Sequence, residues 1–265
     1  MRRWPLRLPA FAAAALIVAT VSSCGGSDPA GGGASIAPPS RPSARECGAG
    51  SSPAQVPKRA GKRSRASAPA AGLYRYRVSG SQTVSGAALR ARDLPARGET
   101  LVSRSRTVGV LTCFRIQRRL APDIANTATY VIRGGDVYLV GIVIQALGEA
   151  QTIRPDPAVL SATESGSEWS GQFAGPTSGS YSFSVRGRQR FRVGGQRLRA
   201  VRISSSVSYR GAYSGTQKAT TWLSVDHDLV LGESARSSQD FGVSTLRLRS
   251  RSRLISLRPG PLPSS

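Results

Sequence analysis

The sequence predicts an all-β or mostly β domain, in which two antiparallel meanders form one curved sheet or half-barrel. Two observations predict this fold class. Apolar and polar residues alternate in stretches such as 73–78 (LYRYRV) and 181–185 (YSFSV), which is the period of half-buried strands. Glycine pairs at 134–135 and 194–195 separate further stretches of this kind, and glycine readily adopts the positive φ that a type I′ turn requires. Neighbouring strands are therefore predicted to be joined by tight hairpins.

The central part of the domain fits the same interpretation. The run 137–144 is apolar enough for a buried helix, but its β-branched residues, the hairpin before it and Gly141 within it favour a strand. No helical stripe longer than two turns follows the first 23 residues, so we expect at most one short helix, around residues 155–161. The β domain is predicted to cover residues 73–258, and residues 259–265 are predicted to form a disordered tail.

Two pairs of segments indicate an internal duplication. Residues 74–82 (YRYRVSGSQ) align with residues 181–189 (YSFSVRGRQ), and residues 128–140 align with residues 219–231. Each half would then be one meander, and two meanders side by side would make one curved sheet with a concave face. The alternative is two unrelated meanders that share strand and turn chemistry.

The first 23 residues have the layout of an export signal. Three arginines precede an uncharged apolar stretch over residues 8–21, which is shorter than the about 20 residues of a membrane-spanning helix. Residues 21–24 (VSSC) then resemble a bacterial lipobox, in which the cysteine thiol receives a diacylglyceryl group and the chain is cut before it. The prediction is an acylated lipoprotein, anchored through Cys24 to the outer, extracytoplasmic face of the cell membrane. The alternative is an ordinary secretory signal that is cut near Ser23.

Residues 24–72 are predicted to be a disordered tether, because Gly, Ala, Ser and Pro dominate them and no aromatic residue is present to form a core. A flexible coil of this length spans roughly 40 Å. The basic run 57–65 (PKRAGKRSR) within it could be drawn to anionic headgroups or could simply be solvated. Once Cys24 is lipidated, Cys47 and Cys113 remain. They could pair, since disulfides persist outside the cytoplasm, or stay as thiols with Cys113 as a small core residue.

The charge balance is strongly basic. The chain has 37 Lys and Arg residues against 14 Asp and Glu, and removal of residues 1–23 would leave a net charge of +20. Export takes the chain away from nucleic acid, so no nucleic-acid role is expected. Two predicted strands carry an arginine at every second residue, which places the four arginines of each strand on one face: Arg186, Arg188, Arg190, Arg192, Arg247, Arg249, Arg251 and Arg253.

These eight arginines are the candidate anion-binding residues. Guanidinium groups match the geometry of phosphate and carboxylate, so a basic face could bind a lipid phosphate or an acidic glycan of the cell envelope. The alternative is the solvated face of an antiparallel sheet. Val185, Phe191, Val193, Leu246, Leu248 and Leu254 are expected to pack on the opposite face.

Motifs of catalysis and cofactor binding are missing from the sequence. The single histidine, His227, stands between Asp226 and Asp228, but neighbours in a strand point to opposite faces and those in a turn splay toward water. A solvated hairpin tip is therefore favoured over a metal site. The sequence contains no Gly-x-Ser-x-Gly elbow and no glycine-rich phosphate loop between a strand and a helix. We expect no enzyme activity, no cofactor and no metal.

Several segments of the domain carry a family resemblance: residues 72–78 (GLYRYRV), 154–160 (RPDPAVL), 166–169 (GSEW), 191–203 (FRVGGQRLRAVRI) and 229–234 (LVLGES) after a tryptophan-containing strand. In these segments the chain resembles a class of actinobacterial envelope lipoproteins, which is loosely similar to the half-barrels of bacterial lipoprotein-carrier and lipid-carrier proteins. The resemblance implies a fold and assigns no catalytic or ligand-contacting residue. The predicted function is a non-catalytic binding or carrier module for an anionic or lipidic envelope component. The alternative is a structural or protein-interaction lipoprotein of the envelope.

Overall fold

The structure is a computed structural model, and it describes the chain from Ser67 to Leu262 with several short gaps, together with two earlier residues. The described residues are 43, 47, 67–86, 90–121, 124–133, 136–146, 149–155, 158–159, 166–175, 177–211, 214–240 and 242–262. The predicted export signal, Cys24 and the basic run 57–65 lie outside them. Among the described residues, no helix has the length and apolar character needed to cross a bilayer.

Fifteen strands make up most of the described chain. They are β1 (Gly72–Ser85), β2 (Arg90–Asp93), β3 (Arg97–Val102), β4 (Arg106–Val108), β5 (Leu111–Ala121), β6 (Ile124–Arg133), β7 (Asp136–Ala146), β8 (Glu149–Pro155), β9 (Ala158–Val159), β10 (Glu168–Ala174), β11 (Thr177–Val193), β12 (Gln196–Gly211), β13 (Ser214–Ser224), β14 (Val230–Asp240) and β15 (Thr245–Leu254).

All of these strands belong to one antiparallel sheet, which confirms the predicted fold class. The strand order is β15-β14-β13-β12-β11-β10-β8-β7-β6-β5-β3-β1-β2, with β4 beside β5 and β9 beside β7. In addition, β15 pairs with β1 from Tyr76↔Leu254 to Ser85↔Thr245, so the last strand returns to the first. The sheet therefore curls until its two ends are hydrogen-bonded, and β1 and β15 present no free edge there.

The inner face of the curled sheet holds the core. In β15, for example, Leu246, Leu248, Ser250, Ser252 and Leu254 are buried, while the arginines that alternate with them are exposed. Large aromatic side chains from different strands fill the interior: Tyr74, Tyr76, Phe114, Tyr130, Tyr181, Phe183 and Tyr209. Burial of such side chains provides the main stabilisation of a sheet of this kind, at roughly 25 cal/mol per Å² of apolar surface removed from water.

The predicted local features are largely present. Gly194 and Gly195 have φ of 52° and 85° between the paired residues Val193 and Gln196, as a type I′ hairpin requires. Arg133 pairs with Asp136 on either side of the predicted turn at 134–135, although the two glycines themselves lie outside the described residues. The run 137–144 is part of strand β7, as expected.

At most one short helix was expected, around residues 155–161, and the described residues of that range form none. Pro155 ends β8, and Ala158–Val159 form β9, which pairs with β7. One boundary needs correction. The predicted tail beginning at residue 259 starts too early. Gly260 and Leu73 exchange backbone hydrogen bonds of 3.0 and 2.8 Å, so the ordered chain continues past Arg258.

The predicted duplication stays a prediction, but several aligned positions have equivalent environments. Tyr74 and Tyr181 are both buried, as are Val78 and Val185. Gly80 and Gly187 both have positive φ, of 138° and 117°. The last aligned pair differs, since Gln82 is buried and Gln189 is exposed.

Candidate anion-binding surface

The outer face of the sheet has a different character in its two halves. On β3, β5 and β6 the outward positions include buried residues. Leu101 lies opposite the buried Gln117, and Cys113 lies opposite Val131. On β11 to β15 the outward positions are mostly serine, threonine, lysine and arginine, and most of them are exposed or half-buried. The outer face of β11 to β15 therefore offers an extended polar surface.

A disulfide joins Cys47 to Cys113 on the outer face of the first half. Their Cα atoms are 5.7 Å apart, and both residues are fully buried with Val131, which lies opposite Cys113 on β6. The backbone N–H of Cys47 donates a hydrogen bond of 3.1 Å to the carbonyl of Ser43. The disulfide thus fastens a point in the predicted tether to the sheet.

A groove of about 820 Å³ lies on the outer face of β10 to β14. Two rows of directly paired residues form its floor. One row runs Ser182–Ser206–Lys218–Arg236, and the next runs Ser184–Ser204–Thr220–Ser234. Because adjacent strands are about 4.8 Å apart, each row extends about 14 Å. Glu168, Ser170, Arg186 and Ser205 complete its polar lining.

The local sequence explains why this floor is both polar and open. In segments such as 181–185 (YSFSV) and 216–223 (TQKATTWL), small hydroxyl residues alternate with residues that face the core. Serine and threonine leave more open space over a sheet than long side chains do. Hydroxyl groups can both donate and accept hydrogen bonds, so the floor suits a polyhydroxylated ligand.

Cations in the groove outnumber its carboxylates. Arg186, Lys218 and Arg236 line it together with one carboxylate, Glu168, whose Oε1 accepts a hydrogen bond of 2.9 Å from the Ser184 hydroxyl. Lys218 lies directly opposite Arg236, and Arg236 lies directly opposite Arg249 on β15. Like charges in directly opposed positions disfavour the folded sheet by up to about 1 kcal/mol per pair.

This row of three cations has no internal compensation in the described part of the chain. The side chains of Lys218, Arg236 and Arg249 make no hydrogen bond or ion pair with a described residue. An anion that bridged them would relieve their mutual repulsion. Lys218 and Arg236 were not among the predicted residues, because each is the only cation on the outward face of its own strand.

The four arginines of β15 share the outer face, in agreement with the alternation in the sequence. Arg247, Arg249, Arg251 and Arg253 are all exposed, and Arg249 and Arg251 continue the two floor rows. Arg253 has a structural role instead. Its Nε and Nη2 donate to the carbonyl oxygen of Arg192 at 3.2 and 2.8 Å, and its guanidinium lies 5.0 Å from the centre of the Phe191 ring.

The four arginines of β11 do not share one face, which corrects the sequence-based prediction. The register shifts between Val185 and Gly187, so that one extra residue is inserted opposite Arg202. A bulge of this kind reverses the alternation beyond it. Arg186 therefore lines the groove, whereas Arg188, Arg190 and Arg192 belong to the hairpin end of β11 and β12.

We call residues 188–199 the arm, because this hairpin end folds across the outer face of the sheet. Phe191 covers Gly232, where a Cβ atom would lie 2.6 Å from the phenyl ring, and its ring centre is 5.8 Å from that of Trp222. The covered row Trp222–Gly232–Arg253 is adjacent to the floor row Thr220–Ser234–Arg251. The arm consequently borders the groove along one side.

The turn after β13 contains the histidine and the two aspartates that flank it. His227 is exposed, as predicted, and the exposed Asp226 forms an ion pair of 2.6 Å with Arg199. Asp228 differs from the prediction, because it is buried and its Oδ2 accepts a hydrogen bond of 2.9 Å from Ser67. Burial raises the pKa of Asp228 to about 7, although the Ser67 hydrogen bond opposes this shift. Within the described ranges, no group of three or more His, Cys, Asp or Glu residues could hold a metal.

A second buried carboxylate lies inside the curled sheet. Glu233 Oε1 accepts a hydrogen bond of 2.5 Å from Arg118, whose Nη2 also donates to the Ser252 hydroxyl at 2.7 Å. Burial raises the pKa of Glu233 even though Arg118 acts to lower it. The pair is enclosed by core side chains, so it is a structural ion pair rather than part of the groove.

Comparisons with known proteins give little further information. No protein-family model matches the chain, and no curated protein matches it. Among solved structures, the chain is similar to a "putative lipoprotein" from Parabacteroides distasonis ATCC 8503, with a TM-score of 0.36 and 10% identity over 71% of this chain and 95% of that one. This similarity does not support the actinobacterial class that the sequence resembles.

Proposed function

We propose that the protein is an exported lipoprotein, anchored to the outer face of the cell membrane through Cys24, and that its groove binds an anionic glycan of the cell envelope. The binding is non-catalytic. The proposal rests above all on the row Lys218–Arg236–Arg249, whose three cations are directly opposed and uncompensated within the described chain.

The chemistry of the floor favours a glycan over a simple anion. Ser182, Ser206, Ser204 and Thr220 provide hydroxyls for the hydroxyls of a sugar, while the adjoining cations meet its phosphate or carboxylate groups. The two floor rows continue past β14 onto Arg249 and Arg251 of β15. A polar surface of this length fits an extended ligand, since four strand intervals amount to about 19 Å.

A carrier of lipid chains is less well supported. Such a carrier needs an apolar cavity, and on the inner face of this sheet the described side chains pack against one another, including Tyr76, Phe114, Tyr130 and the Arg118–Glu233 pair. A purely structural role needs a large exposed apolar patch. The exposed large apolar residues of the described chain, Val110, Val243 and Ile255, belong to separate segments.

Fluorescence anisotropy with labelled oligosaccharides tests the groove. The probes are a galacturonic-acid oligomer, a glycerol-phosphate-bearing oligomer and a neutral glucose oligomer as control. We expect at least one acidic probe to bind, with an affinity that falls as salt is added. In the Lys218→Gln/Arg236→Gln variant the affinity should fall roughly tenfold or more, because each charge-assisted hydrogen bond contributes roughly 1.5–3 kcal/mol.

The matched control removes two exposed arginines away from the groove, Arg90 and Arg210. This Arg90→Gln/Arg210→Gln variant has the same net charge as the groove variant. Equal loss of affinity in both variants would show that net charge alone, and not the groove, accounts for binding. Equal affinity for acidic and neutral oligomers would also contradict the proposal.

A further inference from the structure

The arm carries a second, separate basic surface. Arg188, Arg190, Arg192, Arg197 and Arg199 all have exposed side chains, and the register pairs Arg190 with Arg199 and Arg192 with Arg197. Residues directly opposite in an antiparallel pair project from the same face, so these cations are gathered on one side of the hairpin. Asp226 pairs with Arg199, and the other four side chains have no hydrogen bond or ion pair with any described residue.

The opposite side of the arm fixes it against the sheet. Val193 is buried, Phe191 covers Gly232, and Arg253 donates two hydrogen bonds to the Arg192 carbonyl. The basic face is thereby held outward, away from the sheet. A preformed charged surface loses little conformational entropy when it binds a partner.

The arm lies beside the point where the predicted tether enters the domain. The hydroxyl of Ser67, the first residue of the continuous described chain, donates a hydrogen bond to Asp228. Asp226, in the same turn as Asp228, forms the ion pair with Arg199 of the arm. The chain that precedes Ser67, which is fastened to the domain again at Cys47, therefore leaves the domain next to the basic face. The disulfide at Cys47 leaves 23 residues of tether from Cys24, a coil with a root-mean-square span of only about 26 Å.

We propose that the basic face of the arm docks on the anionic phospholipid headgroups of the membrane that holds the anchor. This inference rests on the proposed lipid anchor, which would keep the face within reach of the bilayer. A flat set of outward guanidinium groups suits a surface of phosphate groups, whereas the hydroxyl-floored groove beside it suits a sugar chain. Docking of the arm would fix the orientation of the groove relative to the membrane.

Vesicle co-sedimentation tests the proposal without the anchor. The protein is the mature chain with Cys24→Ser and an intact Cys47–Cys113 disulfide, and the vesicles are phosphatidylcholine with or without phosphatidylglycerol. One variant changes Arg188, Arg190, Arg192 and Arg197 to Gln. A control variant with the same charge changes Arg236, Arg247, Arg249 and Arg251 to Gln.

We expect the wild type to bind only the vesicles that contain phosphatidylglycerol. Each charge near an anionic surface contributes about 1 kcal/mol, or about fivefold in affinity. The affinity of the arm variant for these vesicles should therefore fall several hundredfold, and that of the control variant far less. A variant with Lys at the four arm positions should keep most of the binding, which separates loss of charge from loss of fold. Equal losses in the arm and control variants, or no binding by the wild type, would overturn the proposal.

The acidic oligosaccharides separate this proposal from the proposed function. The arm variant should bind them as the wild type does, because its substitutions lie outside the two floor rows of the groove. Arm-dependent vesicle binding without oligosaccharide binding would refute the groove alone, and the reverse would refute docking of the arm alone.

Discussion

The Asp228→Asn substitution gives a test of the structure that needs no ligand. Asp228 is 6% exposed, its Oδ1 has no hydrogen-bond partner among the described residues, and its pKa is raised to about 7 by burial. In the unfolded chain the pKa is near its ordinary value of about 3.9. Between these two values the folded protein binds more protons than the unfolded chain, so this group lowers the stability as the pH rises.

The size of the effect follows from the shift. A difference of about three pKa units corresponds to about 4 kcal/mol, and solvent screening at a turn close to the exposed Ser67 reduces this to about 2 kcal/mol. Asparagine is neutral at every pH, has nearly the same shape and accepts the positive φ of 52° at this position. We therefore expect Asp228→Asn to equal the wild type in stability near pH 4 and to exceed it by about 2 kcal/mol at pH 8.

Urea unfolding at pH 4, 6 and 8 measures this difference. Comparison of variant with wild type cancels the contribution of Glu233, whose pKa is also raised. The Ser67→Ala variant is a second control, because loss of the hydrogen bond to charged Asp228 should lower stability at pH 8 and leave it nearly unchanged at pH 4. A stability difference between Asp228→Asn and wild type that is independent of pH, or that grows toward pH 4, would refute the burial argument.

Three further predictions concern the anchor, the disulfide and the arm. Cys24→Ala should release the protein from the membrane fraction and change its mobility on a gel, and unchanged fractionation would contradict the lipid anchor. Cys47→Ser should lower the free energy of unfolding by only about 1 kcal/mol. The disulfide to Cys113 also closes a predicted flexible loop in the folded state, so it costs entropy there as well as in the unfolded chain. A loss above about 3 kcal/mol in urea unfolding would indicate that this loop is ordered. Phe191→Ala should destabilise the protein by about 2–3 kcal/mol and speed tryptic cleavage at the arginines of the arm. Phe191→Leu should have a smaller effect on both the stability and the cleavage rate. Equal cleavage rates in the wild type and both variants would show that the ring does not hold the arm.

Much of the sheet could be predicted from local sequence, because the period of a strand is a property of its backbone. The alternation of arginine and leucine in residues 246–254 assigned both faces of β15 correctly. The Gly194-Gly195 hairpin was equally predictable, since positive φ at both central positions favours glycine. The exposure of His227 followed from its place in a polar turn.

The candidate sites depended on relations that no single strand contains. The sequence places Lys218, Arg236 and Arg249 on three strands, but only the register brings them into one row. The arginines of β11 are spaced evenly in the sequence, yet the bulge at Arg186 reverses the alternation of faces beyond it. The next three arginines therefore belong to the basic face of the arm. Asp226, His227 and Asp228 look equally polar in sequence, and only the packing around the turn buries Asp228.

By itself, then, the sequence determined which residues share a face in a strand without a bulge, where tight turns fall, and the expectation of export and anchoring at Cys24. Tertiary structure alone decided that β15 returns to β1, how each strand is offset from its neighbour, and where the arm lies. The physical reason is that alternation arises from the backbone of one strand, whereas register, bulges and closure are set by packing between residues far apart in the chain.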